Sequence, residues 1–164
     1  MSVDAVSFRQ AMARIPGPVT VATTVDAAGR RWGFTGSSFS SLSLDPPLVL
    51  LCLDRFASTH DAFVSADRFM VNILATDHVE VAQRFATSGI DRFAAGDMRP
   101  YEMNLPGLPD ALVRLACSMH AVLDGGDHSI LVGRVEELHT ARHRMPLLYC
   151  DRSFTRLEAT AALS

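Results

Sequence analysis

The sequence predicts a mainly β protein with a few short helices, whose antiparallel strands form a closed or nearly closed barrel. Three observations predict this fold class. About seven segments alternate apolar and polar residues or are rich in β-branched residues. Helical capping and spacing occur only in short segments. Short polar turns join strand candidates as in hairpins, whereas a parallel sheet needs long crossover connections.

The length and composition indicate one folded domain. The chain has 164 residues, 48% of them hydrophobic and 20% charged, which is enough to bury a core without disulfides. We therefore predict a single domain over residues 1–164. The net charge of −3 predicts neither nucleic acid nor an anionic membrane as a partner. All 15 basic residues are arginine, which excludes a Schiff-base lysine and a phosphate-loop lysine.

The N-terminal segment predicts a helix. Ser7 and Gln10 have the spacing of a capping box, and Phe8, Met12 and Ile15 follow at helical intervals. A Pro-Gly-Pro sequence directly after Ile15 ends this pattern, because proline cannot continue a helix.

The next segments predict a hairpin and then a buried strand. Residues 19–25 are mostly β-branched and stop at a turn over 26–29, and the chain resumes as a strand at 31–34. The apolar run 48–53 comes after a hydroxyl-rich stretch and a rigid Asp-Pro-Pro turn.

Two short helices and a strand occupy the middle of the sequence. Ser58 begins a short helix with a hydroxyl cap, and residues 69–74 form a strand. A second capping-box arrangement, from Asp77 to Glu80, begins a helix that runs through Phe85.

A long excursion separates this helix from the clearest periodicity in the chain. Residues 87–109 hold glycines, prolines and few periodic apolar positions, which predicts a surface loop of a length that is often functional. Residues 113–123 then alternate with a period near two, turn at 124–127 and return over 128–138. The predicted buried face of the first strand is Val113, Leu115, Cys117, Met119, Ala121 and Leu123. Residues 146–151 and 154–157 are the last two predicted strands.

The cysteines and the N-terminus bear on the class and location of the protein. Cys52, Cys117 and Cys150 lie far apart without a C-x-x-C pair, which indicates neither a disulfide scaffold nor a zinc site. No signal peptide and no apolar run of roughly 18 residues is visible. We therefore expect a soluble cytoplasmic protein.

The hydroxyl-rich stretch allows two interpretations. It places six hydroxyl side chains in nine residues without a charge: Thr35, Ser37, Ser38, Ser40, Ser41 and Ser43. Such side chains can satisfy backbone groups at bends. They can equally hydrogen-bond a neutral heteroaromatic ring and a phosphate, and Gly33 and Gly36 would let a ligand approach the backbone. The pattern by itself leaves both interpretations open.

Other polar residues have a similar choice of roles. Ser58 and Thr59 suit a phosphate at a helix N-terminus, or they act as a simple cap. His128 follows a turn and is either solvated or functional. His139 and His143 have the spacing of a helical metal pair but lack a carboxylate motif, so no metal site is predicted. No G-x-S-x-G, Walker or G-x-G-x-x-G signature occurs.

Several stretches together resemble a known family. They read G-F-T-G-S-S-F-S-S-L-S-L-D-P-P-L-V-L-L-C-L-D-R, then S-T-H, F-M-V-N-I-L, D-R-F-A and G-D-H-S-I-L-V-G-R-V. In this order they resemble the flavin reductase-like family, from about Phe8 to Leu157. The resemblance implies an antiparallel, Greek-key-like FMN-binding split β-barrel.

The resemblance also implies an activity and a set of site residues. It implies a homodimer in which NADH or NADPH reduces FMN or FAD, and free reduced flavin then reaches a separate flavin-dependent monooxygenase. The flavin residues that it implies are Thr35, Gly36, Ser37 and Ser38 at the ring edge, Ser41, Cys52, Leu53 and Asp54 along the ring and ribityl chain, and Ser58 and Thr59 at the phosphate. Arg84 or Arg92 adds charge, Tyr149 contributes from the last strands, and His128 lies at the nicotinamide side.

One departure and two rival functions accompany this resemblance. Family members often read Y-x-R-G-R-Y after the last strand, whereas here the segment after Tyr149 lacks that glycine. This leaves the choice between NADH and NADPH open. A rival function is an FMN-retaining electron carrier or sensor without NADH turnover. A second rival, an oxidase of a phosphorylated vitamer, is disfavoured because the chain has no lysine.

Overall fold

The computed structural model describes residues 2–158, and these form a mostly β protein with antiparallel pairing, which confirms the predicted class. The helices are α1 (Ala5–Ala13), α2 (His60–Val64) and α3 (Val79–Ala86), with a 3₁₀ turn at Glu102–Asn104. The strands are β1 (Gly17–Pro18), β2 (Thr20–Val25), β3 (Arg31–Gly36), β4 (Ser40–Ser43), β5 (Leu48–Asp54), β6 (Arg68–Ile73), β7 (Arg99–Pro100), β8 (Pro106–Gly107), β9 (Val113–Gly125), β10 (His128–Thr140), β11 (Leu147–Cys150) and β12 (Ser153–Arg156).

Seven strands form the main sheet, in the order β3-β2-β6-β9-β10-β5-β4. Both predicted hairpins are present within it, β2–β3 and β9–β10. The strands β9 and β10 each have 13 residues, and β10 also pairs with β5 along its first half. This pairing places the apolar run predicted as a strand inside the sheet, between β10 and the edge strand β4.

The main sheet is curled, because its two edge strands are close neighbours in the sequence. The edge strand β3 ends at Gly36 and the opposite edge strand β4 begins at Ser40. Seven strands lying flat would put these edges about 29 Å apart. The link between them can span at most about 14 Å. The short link therefore forces the sheet to curl back toward itself, and the hydroxyl-rich stretch lies at the seam.

A small sheet and a short strand pair complete the β structure. Strands β1, β11 and β12 form a three-stranded sheet, and β7 pairs with β8. The β7–β8 pair and the 3₁₀ turn lie within the stretch 87–109. The rest of that stretch is irregular as predicted, but Phe93, Met98, Leu105 and Leu108 are buried in the core, so the stretch is not simply a surface loop.

The first helix is present, but its cap differs from the predicted one. Asp4 is the N-cap, and its carboxylate accepts a hydrogen bond from the Ser7 backbone N–H at 2.9 Å. Ser7 itself lies inside the helix. The apolar residues Phe8 and Met12 lie on the surface, and α1 buries none of its residues. The helical spacing therefore predicted the helix correctly, although its apolar side faces outward.

The third helix also begins without the predicted capping box. Its N-cap is His78, whose side chain does not cap the helix. The Asp77 carboxylate instead forms an ion pair with Arg144 on the chain before β11. Asp77 was predicted to cap the helix, but in the folded protein its carboxylate contacts a distant arginine instead.

The alternation of β9 holds only in part. Arg114 and Ala116, predicted to point outward, are buried. The Arg114 guanidinium stacks over Tyr101 and forms an ion pair with Glu102 at 2.8 Å, so the excursion covers the face that the pattern assigned to solvent. Irregularities in the β9–β10 register also interrupt a strict period of two.

The two larger of the three core clusters lie on opposite faces of the sheet. Val21 and Ala22 are successive residues of β2 and point to opposite faces. Val21 packs with Phe85 of α3, and Ala22 packs with Phe63 of α2 inside the curled sheet. None of the helices among residues 2–158 is long and apolar enough to cross a membrane.

Candidate functional site

A cavity of about 620 Å³ lies at the seam of the curled sheet. Its walls come from the β3–β4 link, the end of β5, the start of α2, the end of α3 with the loop after it, and the tip of the β9–β10 hairpin. The predicted site residues that line it are Thr35, Gly36, Ser37, Ser38, Cys52, Leu53, Asp54, Ser58, Thr59, Arg92 and His128. Folding thus brings together residues that lie far apart in the sequence.

Three predicted site residues do not line this cavity. Ser41 lies on the edge strand β4 opposite Val49. Tyr149 lies in the small sheet, where its ring packs against Phe154 with 5.4 Å between centroids. The third residue, Arg84, forms ion pairs with two nearby carboxylates.

The structure distinguishes the two arginines between which the sequence left a choice. Arg84 forms ion pairs with Glu80 at 3.2 Å and with Asp97 at 2.5 Å, and its Nε donates to the Arg92 carbonyl oxygen at 3.1 Å. Arg92 lines the cavity and donates from Nη1 to the Gly33 carbonyl oxygen at 2.6 Å. Partial burial lowers the pKa of Arg92 from its ordinary value, although arginine remains charged. Arg84 therefore supports the loop that places Arg92 in the cavity wall.

Two hydroxyls of the hydroxyl-rich stretch are engaged by the protein itself. The Thr35 hydroxyl donates to the Ala82 carbonyl oxygen of α3 at 2.7 Å. The Ser38 Oγ accepts from the Cys52 backbone N–H at 3.0 Å and lies 3.3 Å from the Cys52 carbonyl oxygen. Ser38 thereby continues the β4–β5 edge where backbone pairing stops. Both hydroxyls therefore satisfy backbone groups, which was the first interpretation of the hydroxyl-rich stretch. The groups of residues 35–38 that remain for a ligand are chiefly backbone groups and the Ser37 hydroxyl.

The two glycines near the seam have different roles. A Cβ on Gly33 would lie 2.7 Å from the Phe85 ring, so glycine there makes room for an aromatic side chain of α3. A Cβ on Gly36 would meet only the Phe34 ring, at 3.5 Å. Of the two, only Gly36 lines the cavity. Gly33 instead lines a second cavity, of about 700 Å³, which adjoins the first and shares Thr59 and Arg92 with it, so its role toward a ligand stays a prediction.

Thr59 carries an unsatisfied hydroxyl in the cavity wall. Its Oγ1 is buried without a hydrogen-bond partner among residues 2–158, and the residue is only 3% exposed. Although Thr59 is the N-cap of α2, its side chain does not cap the helix. A buried hydroxyl without a partner is unfavourable by about 1–3 kcal/mol. A ligand with an oxygen acceptor would satisfy it, and the neighbouring Ser58 and Arg92 would offer further donors.

His128 lies at the opposite side of the same cavity. It begins β10 and pairs in register with Asp54 at the end of β5. Its Nδ1 lies 2.7 Å from the Asp127 carboxylate, and this hydrogen bond lowers the pKa of Asp127. The bond to Asp127 orients the imidazole and leaves Nε2 as the ring nitrogen for a ligand.

Two residues for which the sequence predicted no role lie at the rim of the cavity near His128. Arg55 donates from Nε to the Gly126 carbonyl oxygen at 2.8 Å and also pairs with Asp124. It therefore ties the turn after β5 to the hairpin tip. Phe56 lines the cavity although it is 91% exposed. Arg55 directly follows Asp54 at the end of the first stretch that resembles the family, so that motif could have indicated it. No local feature of the sequence distinguishes Phe56.

A cluster of Asp77, His78 and Asp110 has the residue types of a metal site. The His78 Nδ1 accepts a hydrogen bond from the Ala75 backbone N–H at 3.0 Å, so in the neutral ring Nε2 carries the proton. That Nε2 lies 3.2 Å from the Asp110 carboxylate. The cluster therefore fits an ion pair network with Arg144 rather than a metal centre.

Comparisons with known proteins give a consistent result. A family model described as flavin reductase like domain matches residues 12–158. A protein of Streptomyces pristinaespiralis named NADH:riboflavin 5'-phosphate oxidoreductase is 45% identical over 161 residues, covering 96% of this chain and 92% of its own. The reductase subunit of a flavin-dependent monooxygenase from Rhodococcus jostii is 35% identical, covering 96% of this chain and 80% of its own.

A solved structure adds the three-dimensional comparison. The NADH:FAD oxidoreductase of Streptomyces globisporus C-1027, in complex with NAD and FAD fragments, aligns with a TM-score of 0.90. It is 31% identical in sequence, and the alignment covers 96% of this chain and 95% of that protein. The curled sheet described above is therefore similar over nearly its whole length to that of an oxidoreductase.

Proposed function

Because this chain belongs to the flavin reductase like domain family, we propose that it transfers a hydride from NADH or NADPH to FMN or FAD. The reaction oxidises the nicotinamide to its cationic form and moves two electrons and one hydrogen to the flavin. The proteins named above as NADH-dependent oxidoreductases of flavins support this assignment.

The observation that carries the proposal is the unsatisfied Thr59 hydroxyl in the cavity wall. A phosphate oxygen would accept a hydrogen bond from it, and Arg92 lines the same cavity with a permanent positive charge. The helix α2 has only five residues, so hydroxyls and the guanidinium, rather than a helix dipole, supply the favourable interactions. The residues present therefore fit the phosphate of a flavin mononucleotide.

The remaining walls fit the ring and the ribityl chain. Backbone groups of residues 35–38 and Ser37 would hydrogen-bond the ring edge, and residues 52–54 would lie along the ribityl chain. When bound, the flavin would supply the two-electron acceptor on which the reaction depends. His128, oriented by Asp127, would position the nicotinamide from the hairpin side. The protein thus aligns two reactants, and alignment of this kind needs no acid/base pair.

We further propose that the reduced flavin is used by a separate flavin-dependent monooxygenase. The relative that is named as the reductase subunit of such an enzyme supports this role. The cavity opens at the rim beside the exposed Phe56, which suits a flavin that enters and leaves.

A homodimer with split-barrel subunits is the assembly that we propose. Helix α1 presents Val6, Phe8 and Met12 to the outside, and Ile15 just beyond its end is exposed as well. Apolar side chains at helical spacing on a surface helix are typical of an interface with another chain. The curled sheet with its cavity at the seam supports the split-barrel description.

The experiment is flavin-dependent oxidation of NADH by the purified protein. We expect oxidation of NADH or NADPH only when FMN or FAD is added, and stoichiometric flavin reduction without oxygen. No flavin-dependent oxidation with either nucleotide would contradict the proposal. If FMN instead stays bound through gel filtration and NADH is not oxidised, the protein is an electron carrier or a sensor.

A further inference from the structure

His60 joins two parts of the protein that lie on opposite sides of the first cavity. It is the first residue of α2 and directly follows Thr59. Its Nε2 lies 2.8 Å from the Oγ of Ser129, the second residue of β10, which directly follows His128. Neither His60 nor Ser129 lines a cavity. Their hydrogen bond therefore connects the neighbours of two cavity residues from outside the cavity.

This hydrogen bond is largely shielded from water. Ser129 is only 4% exposed, and the His60 side chain is 15% exposed. A serine hydroxyl can donate to an unprotonated ring nitrogen or accept from a protonated one, so the bond forms in either tautomer and either charge state of the imidazole. The other ring nitrogen, Nδ1, lies 3.5 Å from the carboxylate of Asp61, whose side chain is fully exposed. Ser129 is thus the buried partner that fixes the ring.

The Ser129 end of this bond is held more firmly than the His60 end. The strand β10 pairs at Ser129 with β5 on one side and with β9 on the other. Helix α2 has only five residues, and its N-cap Thr59 makes no side-chain capping bond. So short a helix has little stability of its own. Phe63 anchors the end of α2 in the core, and the bond to Ser129 anchors its start to the sheet.

We propose that His60 is a positioning residue for Thr59, which its bond to Ser129 holds where a flavin phosphate accepts a hydrogen bond. This rests on the proposed function, which puts the phosphate at Thr59. The Thr59 Oγ1 is buried without a partner among residues 2–158, so no hydrogen bond of its own directs it. Its direction then depends on the backbone at the start of α2. A donor placed in advance loses less freedom when the ligand binds.

The test compares FMN with riboflavin, which has the same ring and ribityl chain but no phosphate. Titration of the full chain, followed by flavin fluorescence, gives both dissociation constants. We expect His60→Leu and Ser129→Ala each to weaken FMN binding about three- to tenfold, because a displaced Thr59 hydroxyl loses most of one hydrogen bond to a charged group. Riboflavin binding should change by less than about twofold, because that ligand makes no such bond.

A conservative variant and a control accompany these changes. In His60→Gln the amide nitrogen can replace Nε2, so FMN binding should stay within about twofold of wild type. Ser65→Ala removes a 2.6 Å hydrogen bond to the Asp61 carbonyl oxygen at the other end of α2, and Ser65 lines neither cavity. This control should leave the binding of both flavins unchanged.

Two double variants separate positioning from a general loss of structure. In a Thr59→Val background, His60→Leu should weaken FMN binding by less than about twofold further, because residues that act through one contact are not additive. His60→Leu alone leaves the buried Ser129 hydroxyl without this partner and should lower the melting temperature. H60L/S129A removes both groups and should recover part of that loss, while FMN binding stays weak.

The other outcomes have defined meanings. Equal losses for FMN and riboflavin, or unchanged FMN binding in His60→Leu, would overturn the role of His60. Full additivity with Thr59→Val, or a His60→Gln protein as weak as His60→Leu, would do the same. A wild-type protein that binds FMN no more tightly than riboflavin overturns the phosphate end of the proposed function, and the role of His60 with it. A wild-type protein that binds neither flavin overturns the flavin site as a whole.

Discussion

The Nη1 of Arg92 donates a 2.6 Å hydrogen bond to the carbonyl oxygen of Gly33. This bond ties the loop after α3 to the edge strand β3, where the two cavities meet. Arg92 also donates from Nε to the Thr87 carbonyl oxygen at 3.0 Å, so one guanidinium binds both the start of the loop and the edge strand. An arginine held by backbone carbonyl groups keeps its positive charge in the cavity wall without a neutralising carboxylate.

Removal of the Thr59 hydroxyl should weaken flavin binding without lowering the stability of the protein. We expect Thr59→Val to weaken FMN binding about tenfold, because one hydrogen bond to a charged phosphate is lost, and to leave riboflavin binding unchanged. The same change removes a buried hydroxyl without a partner, so the free energy of unfolding should stay equal or rise by about 1 kcal/mol. Flavin titration and thermal melting measure the two effects.

A matched threonine provides the control for this prediction. Thr24 is also buried, but its hydroxyl donates to the Arg68 carbonyl oxygen at 2.7 Å. Thr24→Val should therefore lower stability by about 1 kcal/mol and leave FMN binding intact. A Thr59→Val protein that is destabilised and binds FMN normally would show that Thr59 is structural only.

His128 should affect turnover more than flavin binding. If the imidazole positions the nicotinamide as we propose, His128→Asn should lower kcat/KM for NADH about tenfold, while FMN affinity changes by less than about twofold. Steady-state kinetics and flavin titration provide the measurements. His120, exposed on β9, gives the control variant His120→Asn. A large loss of FMN affinity in His128→Asn would instead make this histidine a flavin ligand.

Arg55 should affect the KM for NADH by holding the tip of the β9–β10 hairpin in position. Arg55→Leu removes its bonds to Gly126 and Asp124, so we expect a higher KM for NADH with little change in FMN affinity. Because the Arg55 side chain is partly exposed, the stability loss should be below about 1 kcal/mol. Arg134→Leu, on β10 away from both cavities, is the control. An unchanged KM in Arg55→Leu would show that the tip keeps its position without this arginine.

Gly133 should tolerate no side chain. A Cβ there would lie 2.5 Å from the Phe69 ring and 2.8 Å from the Cys117 Cβ, inside the core. We expect Gly133→Ala to lower the free energy of unfolding by about 1–3 kcal/mol. Denaturant unfolding measures this loss. Gly36→Ala, where the new Cβ would meet only the Phe34 ring at 3.5 Å, should be close to wild type in stability. Equal losses in both variants would contradict the packing argument.

Acid should weaken the pair of Glu102 and Arg114. The hydrogen bond from Arg114 lowers the pKa of Glu102 from its ordinary 4.5. A lowered folded-state pKa gives stability that is present above the ordinary pKa and lost as the pH falls through the folded-state pKa. We expect Glu102→Gln to be less stable than wild type at pH 7, by about 1–3 kcal/mol. This difference should shrink below about pH 4. Thermal melting across pH tests this, and a difference independent of pH would contradict it.

The strands and turns were predictable because their signals are local. Residues 20–25 are β-branched except for Ala22, and the turn before His128 contains two glycines flanked by aspartates, so short-range preferences agree with the final fold. Helix caps were less predictable. The predicted Ser7 cap and the predicted Asp77–Glu80 box gave way to Asp4 and to an ion pair with Arg144, because several polar residues near a helix start can compete for the same role.

The mainly β class, the two hairpins and, through the family motifs, most of the residues around the first cavity could be predicted from local sequence signals. The hydrogen bond from Thr35 to Ala82, 47 residues away, and the choice of Arg92 over Arg84 in the cavity wall became visible only in the folded chain. Arg30 and Arg31 likewise come to line one cavity with Thr59 and Arg92 only in the folded chain. The physical reason is that hydrogen-bond partners and burial depend on segments that meet only when the sheet curls, whereas strand and turn preferences act between neighbours in the sequence.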